Sequence, residues 1–269
     1  MFMENRKALP WHRSMVPALA LAVLNPLLLA GSGSASPSFV PEGPKVLTAS
    51  IYSQGGGSQH LLYRFKRVAE QSGPTLKVLR EYTYPDGRLA ARERAIYSGD
   101  SLRTYELEEL QTGGAGSARI EADPKNPARL TITFQYAATP SSRARSESRH
   151  EPLSENTLVN DMVGSFLASH WEQLRTGQAV RCQYVVVPRR ETLGFSFKKD
   201  SECKWRGKDV LVLKMRPTNP FISALVDPLY FTVEEAPPHR VLQYAGRTTP
   251  KILEGNRWRD LDAVTVFDW

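Results

Sequence analysis

The chain has 269 residues, of which 41% are hydrophobic and 23% are charged, and its formal net charge is +7. This is ordinary globular composition, and it excludes a largely disordered chain and a fibrous repeat. The length is ample for a domain whose core needs no disulfide or metal to be stable. The basic excess favours loose contact with anionic surfaces and carries no information about the fold.

The first 35 residues have the organisation of a secretory signal peptide. A basic start is followed by the apolar run Met15–Ala30, about 16 residues long, and then by small residues up to Ala35. A helix that crosses a bilayer needs about 20 apolar residues, and this shorter run also contains Asn25 and Pro26. We therefore expect cleavage after Ala35, a periplasmic or secreted protein, and no transmembrane helix after cleavage. Residues 36–44, rich in Ser, Pro and Gly, are predicted to be a flexible leader.

The mature part contains two cysteines, Cys182 and Cys203. In an oxidising compartment an even pair of cysteines favours a disulfide over two free thiols. Such a bridge would stabilise the fold by about 3 kcal/mol in the chain-entropy model. Two buried, reduced thiols are the alternative. A metal site built on this pair is not indicated because no histidine lies nearby, and the sequence predicts no cofactor.

The stretch from Lys45 to Ala138 has an almost purely β pattern. Apolar side chains alternate with polar ones over residues 130–136, as expected for a half-buried strand. Turn signals such as Pro85-Asp86-Gly87 separate this run from similar ones. Because short connections join antiparallel neighbours, the pattern predicts an antiparallel meander.

The segment 139–153 is polar and basic and has no apolar periodicity. We expect a mobile surface loop there. A loop that binds polyanions is the alternative interpretation.

One amphipathic helix is predicted over residues 155–176. Its apolar residues recur at the spacing i, i+3, i+4, and Ser154 or Asn156 could cap its start while Gly177 ends it. A helix with such a wide apolar stripe must bury it, and a sheet offers the matching surface. Strand patterns return from Val180 onward. The predicted fold class is therefore mainly β, with a curved antiparallel sheet or half-barrel packed on one amphipathic helix in a single domain, 45–269.

No motif in the sequence points to a named activity. The glycine run 55–57 lacks the residues of a nucleophile elbow and of a phosphate loop. The histidines of the mature chain are not spaced as metal ligands, and clustered carboxylates such as those at 106–109 are equally well explained as solvated strand positions. We predict no catalytic residue, and a hydrolase of an unrecognised type stays an alternative.

The aromatic residues admit two interpretations. They could form an ordinary core between helix and sheet, or they could line an apolar cavity for a lipid or another hydrophobic ligand, since a curved sheet around a helix can leave space inside. The residues concerned are Phe134, Tyr136, Phe166, Trp171, Phe195 and Phe197.

Three short strings add a resemblance to these patterns: His170–Leu174, Arg190–Phe195 and Tyr244–Arg247. Together with the order of signal, meander, helix and further strands, they make the chain resemble exported bacterial half-barrel proteins, which include the periplasmic lipoprotein-localisation carriers. The resemblance implies a non-catalytic role in binding a lipid or another apolar ligand. The alternative is an interaction or assembly module of the cell envelope with a solid core and an envelope protein as partner. No nucleic-acid partner is expected.

Overall fold

The computed structural model of the chain describes residues 43–54, 59–99, 101–145 and 147–269. The predicted signal peptide, 1–35, and most of the predicted leader, 36–44, lie outside these residues.

Fifteen strands of the described residues form one sheet. The first eight are β1 (Val46–Ser53), β2 (Leu61–Ser72), β3 (Thr75–Thr83), β4 (Leu89–Ser98), β5 (Ser101–Glu109), β6 (Gly114–Asp123), β7 (Asn126–Ala137) and β8 (Arg149–Pro152). The remaining seven are β9 (Thr157–Leu158), β10 (Val180–Val186), β11 (Glu191–Trp205), β12 (Lys208–Pro217), β13 (Leu229–Glu234), β14 (Val241–Glu254) and β15 (Arg257–Asp268). The predicted fold class, mainly β with an antiparallel sheet, is confirmed.

Strands that are neighbours in the chain pair with each other, except β8 and β9, and β1 also pairs with β15. The pairings are antiparallel except that of β9 with β10. Since strand direction alternates, the connections fall at two opposite ends of the sheet. We call upper the end that carries the connections 54–60, 84–88, 110–113, 187–190, 218–228 and 255–256, and lower the end that carries 73–74, 99–100, 124–125, 206–207 and 235–240.

The sheet curls until its two edges meet. Along the chain, the edge strands β8 and β9 are separated by residues 153–156 only. Across this seam the Glu151 carboxylate accepts hydrogen bonds from the Thr192 backbone N–H at 2.9 Å and from the Thr192 hydroxyl at 3.0 Å, and Arg149 lies 3.5 Å from Glu191. The sheet is therefore barrel-like, with side chains closing the gap that the backbone leaves.

The prediction of a loop over 139–153 is wrong for most of that segment. A 3-10 turn covers Pro140–Arg145, and β8 follows it. The strand forms because its backbone pairs with β7, where Thr133 faces His150. No apolar alternation marks β8, since it is a short edge strand fixed by polar contacts across the seam.

The predicted single helix over 155–176 is also wrong, although the predicted burial of its apolar stripe is confirmed. The segment divides into β9, a 3-10 turn (Asn160–Met162), α1 (Val163–Ser169) and α2 (Trp171–Arg175). Thr157 and Leu158 are extended because they pair in parallel with Gln183 and Tyr184. We call residues 157–175 the plug, because the sheet surrounds them.

Neither proposed cap residue starts a helix in the plug. Asn156 has a left-handed backbone with φ 55, and its side-chain amide donates to the Arg181 carbonyl. The predicted end at Gly177 is confirmed, with φ 84 and with its N–H donating to the Leu174 carbonyl at 3.0 Å. A third short helix, α3 (Pro220–Ser223), lies in the connection from β12 to β13.

Two apolar clusters fill the interior. The larger one joins the plug to the strands β3–β7 on one side and β10–β13 on the other. The smaller one lies between β1, β2, β3, β4 and β15. Buried polar side chains separate the two clusters, and they are described with the candidate site below.

The predicted disulfide between Cys182 and Cys203 is absent from the structure, where both thiols are free. Cys182 is buried on β10 opposite Phe195, whereas Cys203 is exposed further along β11. At about 3.3 Å per residue this offset corresponds to roughly 25 Å along the strand. Bridged cysteines have Cα atoms less than about 7 Å apart, so this fold keeps the two thiols from meeting.

No helix in the described ranges combines the length and the apolar character that crossing a membrane requires.

Candidate functional site

The six aromatic residues predicted to line a cavity all belong to the larger apolar cluster. Phe134, Phe166 and Phe197 are fully buried, and Tyr136 packs against the same cluster. The rings of Phe166 and Phe197 have centroids 5.8 Å apart. The structure thus places these residues in or against one apolar cluster, as core side chains.

Trp171 occupies the lower end of this cluster. Its indole stacks on the His239 ring with centroids 4.0 Å apart and an angle of 13° between the ring planes. His239 belongs to the connection between β13 and β14. The plug therefore covers the lower end of the sheet.

A cavity of about 10 Å³ lies beside the plug and has Leu102, Ile120, Leu130 and Met162 in its wall. A buried water needs roughly 10–15 Å³ of such space. This cavity has room for one water molecule at most and none for a lipid.

A second, wider pocket lies at the upper end, and we call it the hairpin groove. It has a volume of about 630 Å³. One wall is the tip of the β14–β15 hairpin, and the other consists of the start of β2 and the two neighbouring turns of the sheet. The lining residues are Leu61, Leu62, Tyr63, Tyr84, Arg88, Leu89, Leu110, Gln111, Ile252, Leu253 and Trp258.

The hairpin reaches this position because β14 is irregular. Its pairing with β15 shifts register between Arg247 and Lys251, and a bulge of this kind bends a strand. Within the bulge the strand contacts β4, where the Thr249 hydroxyl donates to the Glu93 carboxylate, and beyond it the hairpin crosses the upper end. A bulge in one strand thus creates the second wall of the groove.

The floor of the groove is polar. The Gln111 side-chain nitrogen lies 2.9 Å from the Tyr63 hydroxyl, 2.8 Å from the Tyr84 hydroxyl and 2.9 Å from the Lys251 carbonyl. The Lys251 N–H donates back to the Gln111 side-chain oxygen at 2.7 Å. Burial raises the pKa of Tyr63 to about 12, so this phenol stays neutral at physiological pH and acts as a hydrogen-bond group.

The ammonium group of Lys251 holds the hairpin to the body of the sheet. It lies 3.2 Å from the buried carboxylate of Glu109 and 3.0 Å from Asp260. The Tyr136 hydroxyl donates to the same Glu109 carboxylate. Partial burial by itself lowers the pKa of Lys251, but the two carboxylates more than offset this, so its pKa is raised. The lysine is therefore fully charged and fixes the hairpin electrostatically.

A buried polar network lies behind the groove, centred on Glu93. This carboxylate is 1% exposed and accepts hydrogen bonds from the Tyr82 hydroxyl at 3.1 Å and from the Asn160 side chain at 2.9 Å. The guanidinium of Arg80 lies 3.2 Å from its second oxygen. Burial by itself lowers the pKa of Arg80, but the negative charge of Glu93 more than offsets it and the pKa is raised. Arg80 is therefore held in its charged form.

The tyrosines of this network are neutral hydrogen-bonding groups. Burial raises the pKa of Tyr82, Tyr105 and Tyr184 well above the ordinary value of a phenol. The Tyr184 hydroxyl donates to the side-chain oxygen of Asn160, which links β10 to the plug. The network pairs the buried charges of Arg80 and Glu93 and fixes the plug in the sheet.

The carboxylate clusters considered in the sequence are explained by ion pairs. Glu106 and Glu108 lie 3.8 Å and 2.6 Å from Arg94 across the β4–β5 pair, while Asp260 and Asp262 both contact Arg247. In the part of the chain that the structure describes, no group of three or more His, Cys, Asp or Glu residues is placed to hold a metal ion.

The hairpin groove has no signature in the sequence because its lining comes from separate stretches of the chain. Leu61, Leu110 and Leu253 each sit at the end of a strand or in a turn, where an isolated apolar residue has no periodic signal. A hint was present in the two apolar residues Leu253 and Trp258, which flank a Gly-Asn turn and pair across the hairpin.

No protein-family model matches the sequence, and no curated protein matches it. Among solved structures, the chain is similar to the crystal structure of a β-barrel-like protein of a domain of unknown function (DUF1849) from Brucella abortus. The two share 5% sequence identity, the match covers 83% of this chain and 96% of that chain, and the TM-score is 0.39.

Proposed function

We propose that the protein is an exported, non-catalytic binding protein that holds a lipid or another apolar ligand in the hairpin groove. The observation that carries this proposal is the groove itself, about 630 Å³ in volume and lined mainly by apolar side chains with a few convergent polar groups. Ligand sites of proteins typically have about 300–1,000 Å³ and this kind of lining.

The lining favours an amphipathic ligand with an apolar body and a small polar or anionic head. Leu62, Ile252 and Trp258 offer apolar walls, whereas the hydroxyl of Tyr84 can exchange a hydrogen bond with a polar head. Arg88 is at the rim, paired at 2.8 Å with Asp86, and both side chains are more than half exposed. Such exposed pairs are weak, so an anionic head group can replace the aspartate as the partner of Arg88.

We place the ligand in the groove and not among the six aromatic residues, because those side chains are packed in or against the larger apolar cluster. Phe134, Phe166 and Phe197 would have to separate before a ligand could enter. Opening a close-packed core costs several kcal/mol. The hairpin groove is open without any such change.

The exported location and the relation to lipid carriers belong to the same proposal. The basic start, the apolar run Met15–Ala30 and the small residues up to Ala35 support secretion. The resemblance in layout to the half-barrel carriers supports lipid or lipoprotein handling by analogy.

Ligand binding can be tested on the purified protein. Organic extraction and native mass spectrometry should detect a co-purifying lipid, and a fluorescent fatty-acid probe should bind with a stoichiometry of about one. L110D and L253D place a carboxylate in the groove wall at side chains that are 48% and 52% exposed, so the fold should tolerate them. Because an unpaired charge in an apolar site is costly, we expect at least a tenfold loss of probe affinity.

L225D is the matched control, since Leu225 is 87% exposed and lies outside the groove. This variant should bind the probe as the unchanged protein does. The proposal fails if the protein binds no probe and carries no lipid, or if L110D and L253D bind like the control.

A further inference from the structure

Large apolar side chains are exposed mainly at the upper end of the molecule. In the described part of the chain nine are exposed, and Val46, Ile96 and Trp269 are the three that lie toward the lower end. The other six are at the upper end: Leu110, Phe221, Leu225, Val226, Leu253 and Trp258. Exposed apolar residues scattered singly need no explanation, but a concentration on one face marks an interaction surface.

Two of these residues project from the connection 218–228, which we call the apolar loop. Phe221 is 82% exposed and Leu225 is 87% exposed. Phe221 lies in α3 and Leu225 in the turn that follows it, where the Leu225 N–H donates to the Ile222 carbonyl at 3.0 Å. Both side chains project into solvent from this short segment, and we call the pair the apolar tip.

The apolar loop is held in the conformation that displays this tip. The Asn219 side chain caps the turn by accepting hydrogen bonds from the N–H groups of Phe221 and Ile222, and Pro220 fixes the first helical position. At its base the Thr218 N–H donates to the Gly194 carbonyl at 2.8 Å. Ile222 is only partly exposed. The loop thus presents Phe221 and Leu225 outward from a fixed base.

Basic side chains lie at the same end of the molecule as the apolar tip. Arg216 precedes the loop, is exposed, and forms no ion pair with the residues that the structure describes. Arg190 lies in the neighbouring connection 187–190, whereas Arg189 beside it is paired with Glu191 at 2.5 Å. Asp227 is the acidic residue within the apolar loop. Arg216 and Arg190 thus leave a basic excess at this end, which favours an anionic surface.

We propose that the upper end rests on an anionic lipid membrane, with Phe221 and Leu225 inserted among the lipids. Phe221 and Leu225 project from the apolar loop as convex points, separate from the hairpin groove that Leu110, Leu253 and Trp258 line. A fluid bilayer accepts such points without a matching shape, and apolar insertion with basic flanks is how peripheral proteins bind anionic membranes. This contact does not depend on the hairpin groove holding a ligand, but it would bring the mouth of the groove to the membrane.

Vesicle co-sedimentation tests the contact with the full purified chain. We expect binding to vesicles of phosphatidylcholine with phosphatidylglycerol, weaker binding to phosphatidylcholine alone, and a loss of binding as salt is raised, because salt screens the arginines. The variant F221S/L225S should reduce the partition coefficient about tenfold or more, since two large apolar side chains no longer leave water. R216E should reduce binding to the anionic vesicles only.

V46S/I96S is the matched control, because it removes two exposed apolar side chains toward the lower end. It should bind vesicles as the unchanged protein does. L110S/L253S separates this inference from the proposed function. If that variant loses the fatty-acid probe while F221S/L225S keeps the probe and loses the vesicles, both conclusions hold independently.

Insertion can be observed directly with an environment-sensitive fluorophore on L225C, made in a C203S background so that the exposed native thiol is absent. Vesicles should shift its emission to the blue, while the same label on V46C should not respond. The inference is overturned if no vesicle binds, or if F221S/L225S binds as before. It is also overturned if light scattering shows that the tip holds two copies of the chain together, with a dimer that F221S/L225S dissociates.

Discussion

Arg67 on β2 and Asp161 in the plug form a buried ion pair, with Nε 2.5 Å from Oδ1 and Nη2 3.2 Å from Oδ2. Their side chains are 7% and 4% exposed. Arg67 also donates to the Pro44 carbonyl at 3.0 Å, which ties the chain before β1 to the same point. Since both charges have lost their water, each one is tolerated in the interior because the other is present.

Removing one partner of this pair should destabilise the protein strongly. We expect D161N to lower the free energy of unfolding by about 3–5 kcal/mol, because the charge of Arg67 then stays buried without its carboxylate. The double variant R67M/D161L should lose less than D161N alone. Urea unfolding measures the free energy of unfolding of both variants. E254Q is the control, since Glu254 pairs with Arg259 at the surface and should give no measurable change. Equal stability of D161N and E254Q would contradict the burial of this pair.

Two glycines should respond to alanine in opposite ways. At Gly116 on β6 a Cβ would lie 2.3 Å from the Gln135 carbonyl oxygen and 2.8 Å from a Val187 methyl group, so G116A should cost roughly 1–3 kcal/mol by overpacking this contact with the connection 187–190. At Gly164 in α1 a Cβ would meet nothing within 4 Å, and G164A should stabilise by about 0.5–1 kcal/mol through helix propensity. Thermal unfolding compares the stability of the two variants. A G116A protein as stable as the unchanged one would contradict the close packing of Val187 on β6.

Buried tyrosines should make the protein sensitive to alkali. Burial raises the pKa of Tyr63 from 10.0 to about 12, and it raises the pKa of Tyr97 as well. The unfolded chain therefore releases these protons first as pH rises, and stability that is complete below about pH 10 is lost between pH 10 and 12. The urea midpoint measured across this pH range checks the loss of stability. The phenolate absorbance of the folded protein reports the ionisation of the tyrosines. Simultaneous titration of all 10 tyrosines near pH 10 without unfolding would rule out the buried network.

The two thiols should differ in reactivity. Burial raises the pKa of Cys182 to about 12, and thiol reactivity follows the thiolate fraction and access. The folded protein should take up one equivalent of an alkylating reagent, at the exposed Cys203, and a second one after unfolding in denaturant. Mass spectrometry of peptides locates the label. If neither the folded nor the unfolded protein is labelled unless a reductant is present, the disulfide predicted from the sequence exists and this prediction is wrong.

Local sequence patterns were sufficient to predict the strands and the burial of the apolar residues of the plug. Leu130, Ile132 and Phe134 alternate with polar residues, and that alternation is fixed by the two-residue repeat of a strand whatever its neighbours are. The stripe from Leu158 to Leu174 is buried as its spacing predicts. The same spacing did not determine the secondary structure of this segment. The backbone of Leu158 can form its hydrogen bonds by pairing with β10 as well as in a helix.

The candidate site could not be predicted in this way. Leu110, Gln111 and Leu253 become neighbours because β14 bulges after Arg247 and the hairpin folds across the upper end. A bulge in one strand and a contact between distant turns produce no recognisable pattern in a single sequence. The burial of charged residues could not be predicted either. In the sequence Arg80 and Glu93 look like solvated strand positions, and only the curvature of the sheet buries them.

The sequence by itself determined the β-rich character of the chain, the position of its turns and the apolar stripe of the plug, because all three follow from interactions between residues close in the chain. The tertiary structure decided which edges meet, where the charges are buried, that Cys182 and Cys203 lie apart, and that the open volume is under a hairpin. These features depend on curvature and register, which are set when the whole sheet closes around the plug and buries its apolar side chains together.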